Sequence, residues 1–200
     1  MNIAVFASGR GTNFGAIIRA VKKGRIKANL ALLVCDNPKA GAIGRAKRAG
    51  IKVALLKRED CADKKDFEAG IIRHLEENKI DLIVLAGFMR ILSPEFVIKY
   101  LGRILNIHPA LLPSFKGTES IKDAFDYGVK VTGVTVHFVD EKMDHGPIIL
   151  QKAVNIENDE TPESLEKKIH SIEHRLYPEA IRLYTEGKLK IEGRRVLAST

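Results

Sequence analysis

Residues 104–115 read Ile-Leu-Asn-Ile-His-Pro-Ala-Leu-Leu-Pro-Ser-Phe. The segment starts as an apolar strand and ends as a stiff loop. Pro109 has no N–H to give to a sheet ladder, so the strand should stop at His108. Asn106 and His108 are two residues apart and therefore share one face of the strand. An amide and an imidazole stand side by side at a strand's C-terminal end, where open α/β sheets bind ligands.

Upstream of this segment the chain alternates. Apolar strand patterns over 3–7, 30–35, 52–56 and 81–86 are separated by helical patterns over 14–23, 42–49, 66–77 and 94–100. That order predicts a parallel sheet with helices on both faces. Downstream the pattern changes. A short helix is expected over 121–127, then a half-buried strand over 129–139 and another over 148–156. The two strands are close enough to pair as an antiparallel hairpin with a long loop. Thr161 and Pro162 start a long helix over 163–185, with proline in its first turn. Gly187 ends it, and the last ten residues read as a basic tail or an edge segment. The expected fold is α/β. Its Rossmann-like N-terminal half has a parallel sheet that continues into a mixed sheet, with the antiparallel hairpin in the C-terminal half. One domain spans 1–200, divided near residue 100 into two subdomains around a shared sheet.

Composition sets bounds on this reading. The 200 residues are 45% hydrophobic and 29% charged, ordinary values for a globular chain. No apolar run is long enough for a transmembrane helix, and the N-terminus enters a strand without a signal-peptide pattern. Two cysteines, Cys35 and Cys61, are too few for a disulfide framework and lack metal spacing, which suits a reduced cytoplasm. The net charge of +8 is spread along the chain, with 6% aromatics and no tryptophan. Neither a clustered basic footprint nor base-stacking platforms are evident, so neither nucleic acid nor membrane is the expected partner.

Ser8-Gly9-Arg10-Gly11-Thr12-Asn13 links the first strand to the first helix. Glycine permits a tight turn and close approach of an anion to backbone N–H groups at a helix N-terminus. The dinucleotide fingerprint fails, because Phe14 stands where a third glycine is needed, and no P-loop lysine follows. The loop reads as a phosphate cradle or as a plain strand-to-helix turn.

At cellular pH a histidine such as His108 exchanges protons readily, and a nearby carboxylate would favour its charged form. Asn106 offers an uncharged donor for a developing oxyanion. Together they suit acyl or formyl transfer through a tetrahedral intermediate; the plain alternative is a capped strand. Asp144 is a candidate acid partner, with His137 and His145 as rival histidines. His170-Ser171-Ile172-Glu173-His174 fits an inverted zincin pattern, but no second motif supplies a third ligand, so no metal is expected.

Taken together, these segments resemble the glycinamide ribonucleotide formyltransferase family. The resemblance rests on Ser8–Asn13, Leu85-Ala86-Gly87-Phe88-Met89-Arg90-Ile91-Leu92 and Leu105-Asn106-Ile107-His108-Pro109-Ala110-Leu111-Leu112-Pro113. It extends to Asp144-His145-Gly146-Pro147-Ile148-Ile149 and Glu173-His174-Arg175-Leu176-Tyr177-Pro178. It implies transfer of the formyl group of 10-formyltetrahydrofolate, a co-substrate, to the amine of 5-phosphoribosylglycinamide (GAR), a step of purine synthesis. Asn106 and protonated His108 would stabilise the oxyanion, with Asp144 holding His108 and keeping its pKa high. Gly11, Thr12 and Asn13 would hold the substrate phosphate, and His170 and Glu173 its ribose or glycinamide part. Met89, Arg90, Ile91 and Leu92 would form the folate pocket with Asn106, Asp140 and Asp144. Lys64 would reach the folate's glutamate tail, where the family often has arginine. On this reading 1–100 is a phosphate-binding subdomain and 101–200 a catalytic and folate-binding one, in a monomer or homodimer.

The chain departs from the family after Pro113. Many relatives read Pro-Gly-x-His there, whereas Ser114–Glu119 stand here and Glu119 replaces a histidine. Among sibling enzymes, methionyl-tRNA formyltransferase would carry a further C-terminal domain and formyltetrahydrofolate deformylase an N-terminal regulatory one. A rival of another class, a non-catalytic nucleotide-binding protein, would not need Asn106, His108 and Asp144 to converge.

Overall fold

The computed structural model describes residues 1–199. Strands β1 (Asn2–Phe6), β2 (Asn29–Cys35), β3 (Lys52–Leu55), β4 (Leu82–Leu85) and β5 (Ile104–His108) are parallel. They are connected through α1 (Thr12–Lys22), α2 (Gly41–Ala49), α3 (Lys64–Glu77) and α4 (Pro94–Lys99). After α5 (Ser120–Tyr127), β6 (Val131–Phe138) runs antiparallel to β5 and pairs with antiparallel β7 (Ile148–Asn155). Helix α6 (Pro162–Thr185) follows, and β8 (Leu189–Glu192) and β9 (Arg195–Ala198) close the chain.

The spatial order is β3-β2-β1-β4-β5-β6-β7-β9-β8 in one sheet. Strand order reverses at β1, with β2 on one side and β4 on the other. Such a reversal opens a crevice at the strands' C-terminal ends. The expected mixed α/β fold is therefore present. Of the two readings of the C-terminal segment, the edge segment holds: β8 and β9 form an antiparallel hairpin at the sheet edge, and β9 joins β7 through the pair Ile148 and Arg195. Alternation within 189–198 is too short and too charged to be read as strands from sequence alone.

Period-two alternation places the core on both faces. Ile3 and Val5 of β1 pack with Phe14, Ile17, Tyr177 and Ile181 under α1 and α6. Ala4 and Phe6 point the other way, into Phe67, Ile71, Leu75 and Phe96 under α3 and α4. Burial on both faces is why these strands read as continuous apolar runs.

Helix starts agree with local chemistry. Thr161 and Ser164 form a capping box, each side chain accepting from the other's backbone N–H, and Pro162 occupies the first turn. Ser93 caps α4 by accepting from Phe96 N–H at 3.1 Å; such caps contribute about 1 kcal/mol. Helix α6 continues through Pro178, which removes one helical donor. Tertiary packing keeps it whole: Tyr177, one residue earlier, is fully buried, and its hydroxyl lies 2.8 Å from the Leu85 carbonyl and 2.9 Å from that of Leu105. This side chain ties α6 to the ends of β4 and β5.

Candidate active site

Three adjacent strands deliver two loops and one strand end to one place. Phe6 of β1 is in register with Leu85 of β4, and Leu85 with Asn106 of β5. The glycine loop leaves β1, residues 86–93 leave β4, and Asn106 and His108 stand on β5 itself. The first two loops are bonded together: Ser8 N–H donates to the Gly87 carbonyl at 2.9 Å, and Met89 N–H to Ser8 Oγ at 3.0 Å.

Asp144 reaches this point from the loop between β6 and β7. Its Oδ2 is 3.4 Å from His108 Nδ1, and both side chains are buried. Gly117 N–H donates to the same Oδ2 at 3.0 Å, and Asn106 Nδ2 lies 3.5 Å from Oδ1. Burial works against the Asp144 charge. The nearby His137 and the Gly117 N–H bond, with the charges of His108 and His137, outweigh it and hold the carboxyl below the usual carboxylate value. His108 Nε2 is 2.7 Å from the Phe115 carbonyl. A carbonyl only accepts, so Nε2 carries a hydrogen and Nδ1 is the ring atom that faces the carboxylate.

His137 is the residue that sequence reasoning left outside. It pairs with Asn106 in the antiparallel register of β5 and β6. Its Nε2 is 3.2 Å from Asn106 Nδ2 and 3.7 Å from Asp144 Oδ1, while Nδ1 donates to the Phe138 carbonyl at 2.7 Å. Only the cross-strand register could have revealed this; alternation showed no more than a half-buried histidine. The other rival, His145, turns away and pairs with Asp140 at 2.6 Å. Thr135, opposite His108, fixes the loop after β5: its hydroxyl donates to the Ala110 carbonyl and accepts from Leu112 N–H.

Gly11 is the left-handed cap of α1, with φ of 68°. A side chain there would press on Ala42 at 2.8 Å, so glycine is required twice over. Helix α1 starts at Thr12, two residues before the pattern suggested, which puts Thr12 and Asn13 in its first turn. The first N–H groups of a helix have no intrahelical partner and face outward to an anion. The Asn13 side chain does not join them; its amide donates to Glu173 Oε2 at 3.0 Å.

That same carboxylate oxygen is 2.8 Å from His170 Nδ1, and His170 Nε2 is 3.1 Å from Glu166, which Arg10 of the glycine loop also binds at 2.8 Å. A chain of polar contacts thus runs from exposed Arg10 to buried Glu173. Hydrogen bonding to Glu173 raises the His170 pKa against the opposing effect of burial, with Glu166 adding to the rise. Both ring nitrogens of His170 are occupied by carboxylates, so the His-x-x-Glu-His spacing serves this chain. Among the described residues no group of three or more His, Cys, Asp or Glu is placed to hold a metal ion, and no helix is long and apolar enough to cross a membrane.

Met89 and Ile91 are 64% and 73% exposed, large apolar side chains without cover in the segment that follows β4. Arg90 between them bonds Asp36 at 2.7 Å. Arg90, Ile91 and Leu92 line a cleft of about 160 Å³ with Lys64, Phe67 and Arg58. Arg58 was not anticipated; its Nη1 donates to the Cys61 carbonyl, in a short 3-10 turn no motif marks. Glu119, the departure noted above, lies exposed just before α5.

A family model described as formyl transferase matches residues 1–181. The chain belongs to the formyl transferase family. It is 46% identical over 179 residues to phosphoribosylglycinamide formyltransferase of Bacillus subtilis, covering 90% of this chain and 92% of that one. The crystal structure of glycinamide ribonucleotide transformylase 1 from Symbiobacterium toebii superposes with a TM-score of 0.97 at 43% identity. It covers all of this chain and 94% of the other. The human trifunctional purine biosynthetic protein adenosine-3 is 39% identical over 94% of this chain, which spans 19% of that larger protein. A formyltetrahydrofolate deformylase from Pseudomonas syringae, at 23% identity, shares the fold.

Proposed function

We propose that this chain transfers the formyl group of 10-formyltetrahydrofolate to the amine of 5-phosphoribosylglycinamide, a step of purine synthesis in the cytoplasm. The observation that carries the reading is the meeting of Asn106, His108 and Asp144 between the glycine loop and the exposed Met89–Leu92 segment. An N-terminal phosphate site and an uncovered apolar site flank one amide–imidazole–carboxylate group. The two substrates need that arrangement.

In this mechanism the substrate amine attacks the formyl carbon, and the carbonyl oxygen gains negative charge. Asn106 Nδ2 donates to that oxygen. The His108 proton on Nδ1, held by ionised Asp144, is the second donor and is the one available for transfer, because Nε2 is engaged by Phe115. The proton shed by the attacking nitrogen ends on the folate nitrogen as its bond to the formyl carbon breaks. Atoms balance as tetrahydrofolate and the formylated amide. Gly11, Thr12 and Asn13 bind the phosphate through backbone N–H groups of α1. Glu173, oriented by His170 and Asn13, meets the ribose or glycinamide part. Met89, Ile91 and Leu92 with Arg90 and Asp140 hold the pterin, and Lys64 with Arg58 draws the anionic glutamate tail into the adjoining cleft.

The test is incubation with both substrates while folate absorbance is followed. Turnover is expected without added metal. His108→Ala and Asp144→Asn should each lose roughly 10²–10⁴ in rate. No formyl transfer by the intact protein, or full activity in both variants, overturns the proposal.

A further inference from the structure

Asp144 sits in the left-handed region with φ of 47°, one of three such residues other than glycine among the described residues. Backbone of this kind persists only where the surroundings hold it. On the inner side the Gly117 N–H binds the carboxylate. The outer side is held by the last hairpin of the chain. Arg194, in the turn between β8 and β9, donates from Nη2 to the His145 carbonyl at 2.7 Å. Its Nη1 lies against the His145 ring, 3.2 Å from Nε2 and 3.4 Å from Nδ1. The ring in turn binds Asp140 across the loop. The next residue, Arg195, pairs with Ile148, the first residue of β7. The hairpin therefore grips the loop on both sides of Gly146-Pro147. Arg194 lies beyond residue 181, where the family match stops.

We infer that Arg194 is a positioning residue: through the His145 carbonyl it anchors the 139–147 loop and so sets where Asp144 meets His108. The loop has no regular hydrogen-bond ladder of its own, and a guanidinium on the carbonyl of His145, the residue after Asp144, limits its movement where precision matters. A displacement of about 1 Å at a catalytic group is enough to cost roughly 10²-fold in rate. The kinetic consequence rests on the formyl-transfer reading, whereas the anchoring itself does not.

The experiment compares wild type, Arg194→Ala and Arg194→Lys by amide hydrogen exchange and by steady-state kinetics. Lys190→Ala, which breaks the exposed Lys190–Glu192 pair of the same hairpin, is the control. In Arg194→Ala the amides of 140–147 should exchange about tenfold faster, the loss of one charge-assisted bond. The kcat should fall roughly 10- to 100-fold, with KM for the phosphate-bearing substrate unchanged. Arg194→Lys should restore most of both, because an ammonium still donates to the carbonyl. Lys190→Ala should match wild type. Wild-type kcat in Arg194→Ala overturns the inference, as does exchange that rises through β7, β8 and β9 alike in both Arg194 variants. If the wild-type protein transfers no formyl group, the functional reading fails separately. The exchange at 140–147 then decides the anchor by itself, and unchanged exchange overturns it.

Discussion

Asn106 and His137 face one another across the β5–β6 ladder, with Asn106 Nδ2 3.2 Å from His137 Nε2. Asp144 is within 3.5 Å of the first and 3.7 Å of the second. The carboxylate thus answers to two histidines, His108 through one oxygen and His137 through the other. This double pairing, with the Gly117 N–H, keeps a buried acid ionised.

His137→Phe should therefore weaken the reaction without touching His108. Losing this neighbour lets the Asp144 pKa rise, so the protonated acid is populated at higher pH. The acid limb of kcat/KM should move to higher pH, and the rate at neutral pH should fall about tenfold, as for one lost hydrogen bond, because Asn106 also loses its partner. A pH–rate profile superimposable on wild type would disprove this link.

Glu166→Gln tests the polar chain that ends on Glu173. The His170 pKa is raised, so its stabilising contribution is complete below the ordinary histidine value. That contribution disappears as pH rises through the raised one. Glu166 is one of the groups that raise it. The variant should lose this stability at lower pH than wild type does, and chemical denaturation between pH 5 and 9 measures the difference. Parallel stability curves for the two proteins would exclude the coupling.

Tyr177→Phe removes a fully buried hydroxyl and leaves the Leu85 and Leu105 carbonyls short of a donor. The expected loss is about 1–3 kcal/mol in urea unfolding, with the ring still filling its site. A midpoint equal to wild type would show that the hydroxyl does not hold α6 to the sheet.

Gly146→Ala places a methyl group 1.9 Å from the Phe138 carbonyl oxygen. The backbone must separate there, and the displaced loop carries Asp144 with it. The variant should lose about 1–3 kcal/mol of stability and at least tenfold in kcat. A folded variant with normal turnover would show that the close approach is dispensable.

Much of this was legible in the sequence because it depends on a few neighbouring residues. The apolar runs of 3–7 and 104–108, the Gly11 turn, and Thr161-Pro162 each specify local backbone within one or two turns of chain. Asn106 and His108 share a face by strand geometry alone. Glu173 and His170 are three apart on one helix and had to be neighbours. Arg90 was legible as a functional candidate, but its bond to Asp36 joins the ends of two strands that share no sequence signal.

The amino-acid sequence by itself determined the parallel half of the sheet, the capped start of α6 and the face that Asn106 and His108 share. Each follows from periodicity, capping or a missing N–H within a short window. Only the tertiary structure decided that Asp144 reaches His108, that His137 joins them, and that the last residues form a hairpin gripping the Asp144 loop. Those contacts span 31 residues, Asn106 to His137, 36, His108 to Asp144, and 49, His145 to Arg194. They depend on the register of β6 against β5 and β7 and on a left-handed residue held by its neighbours, neither of which any local pattern encodes.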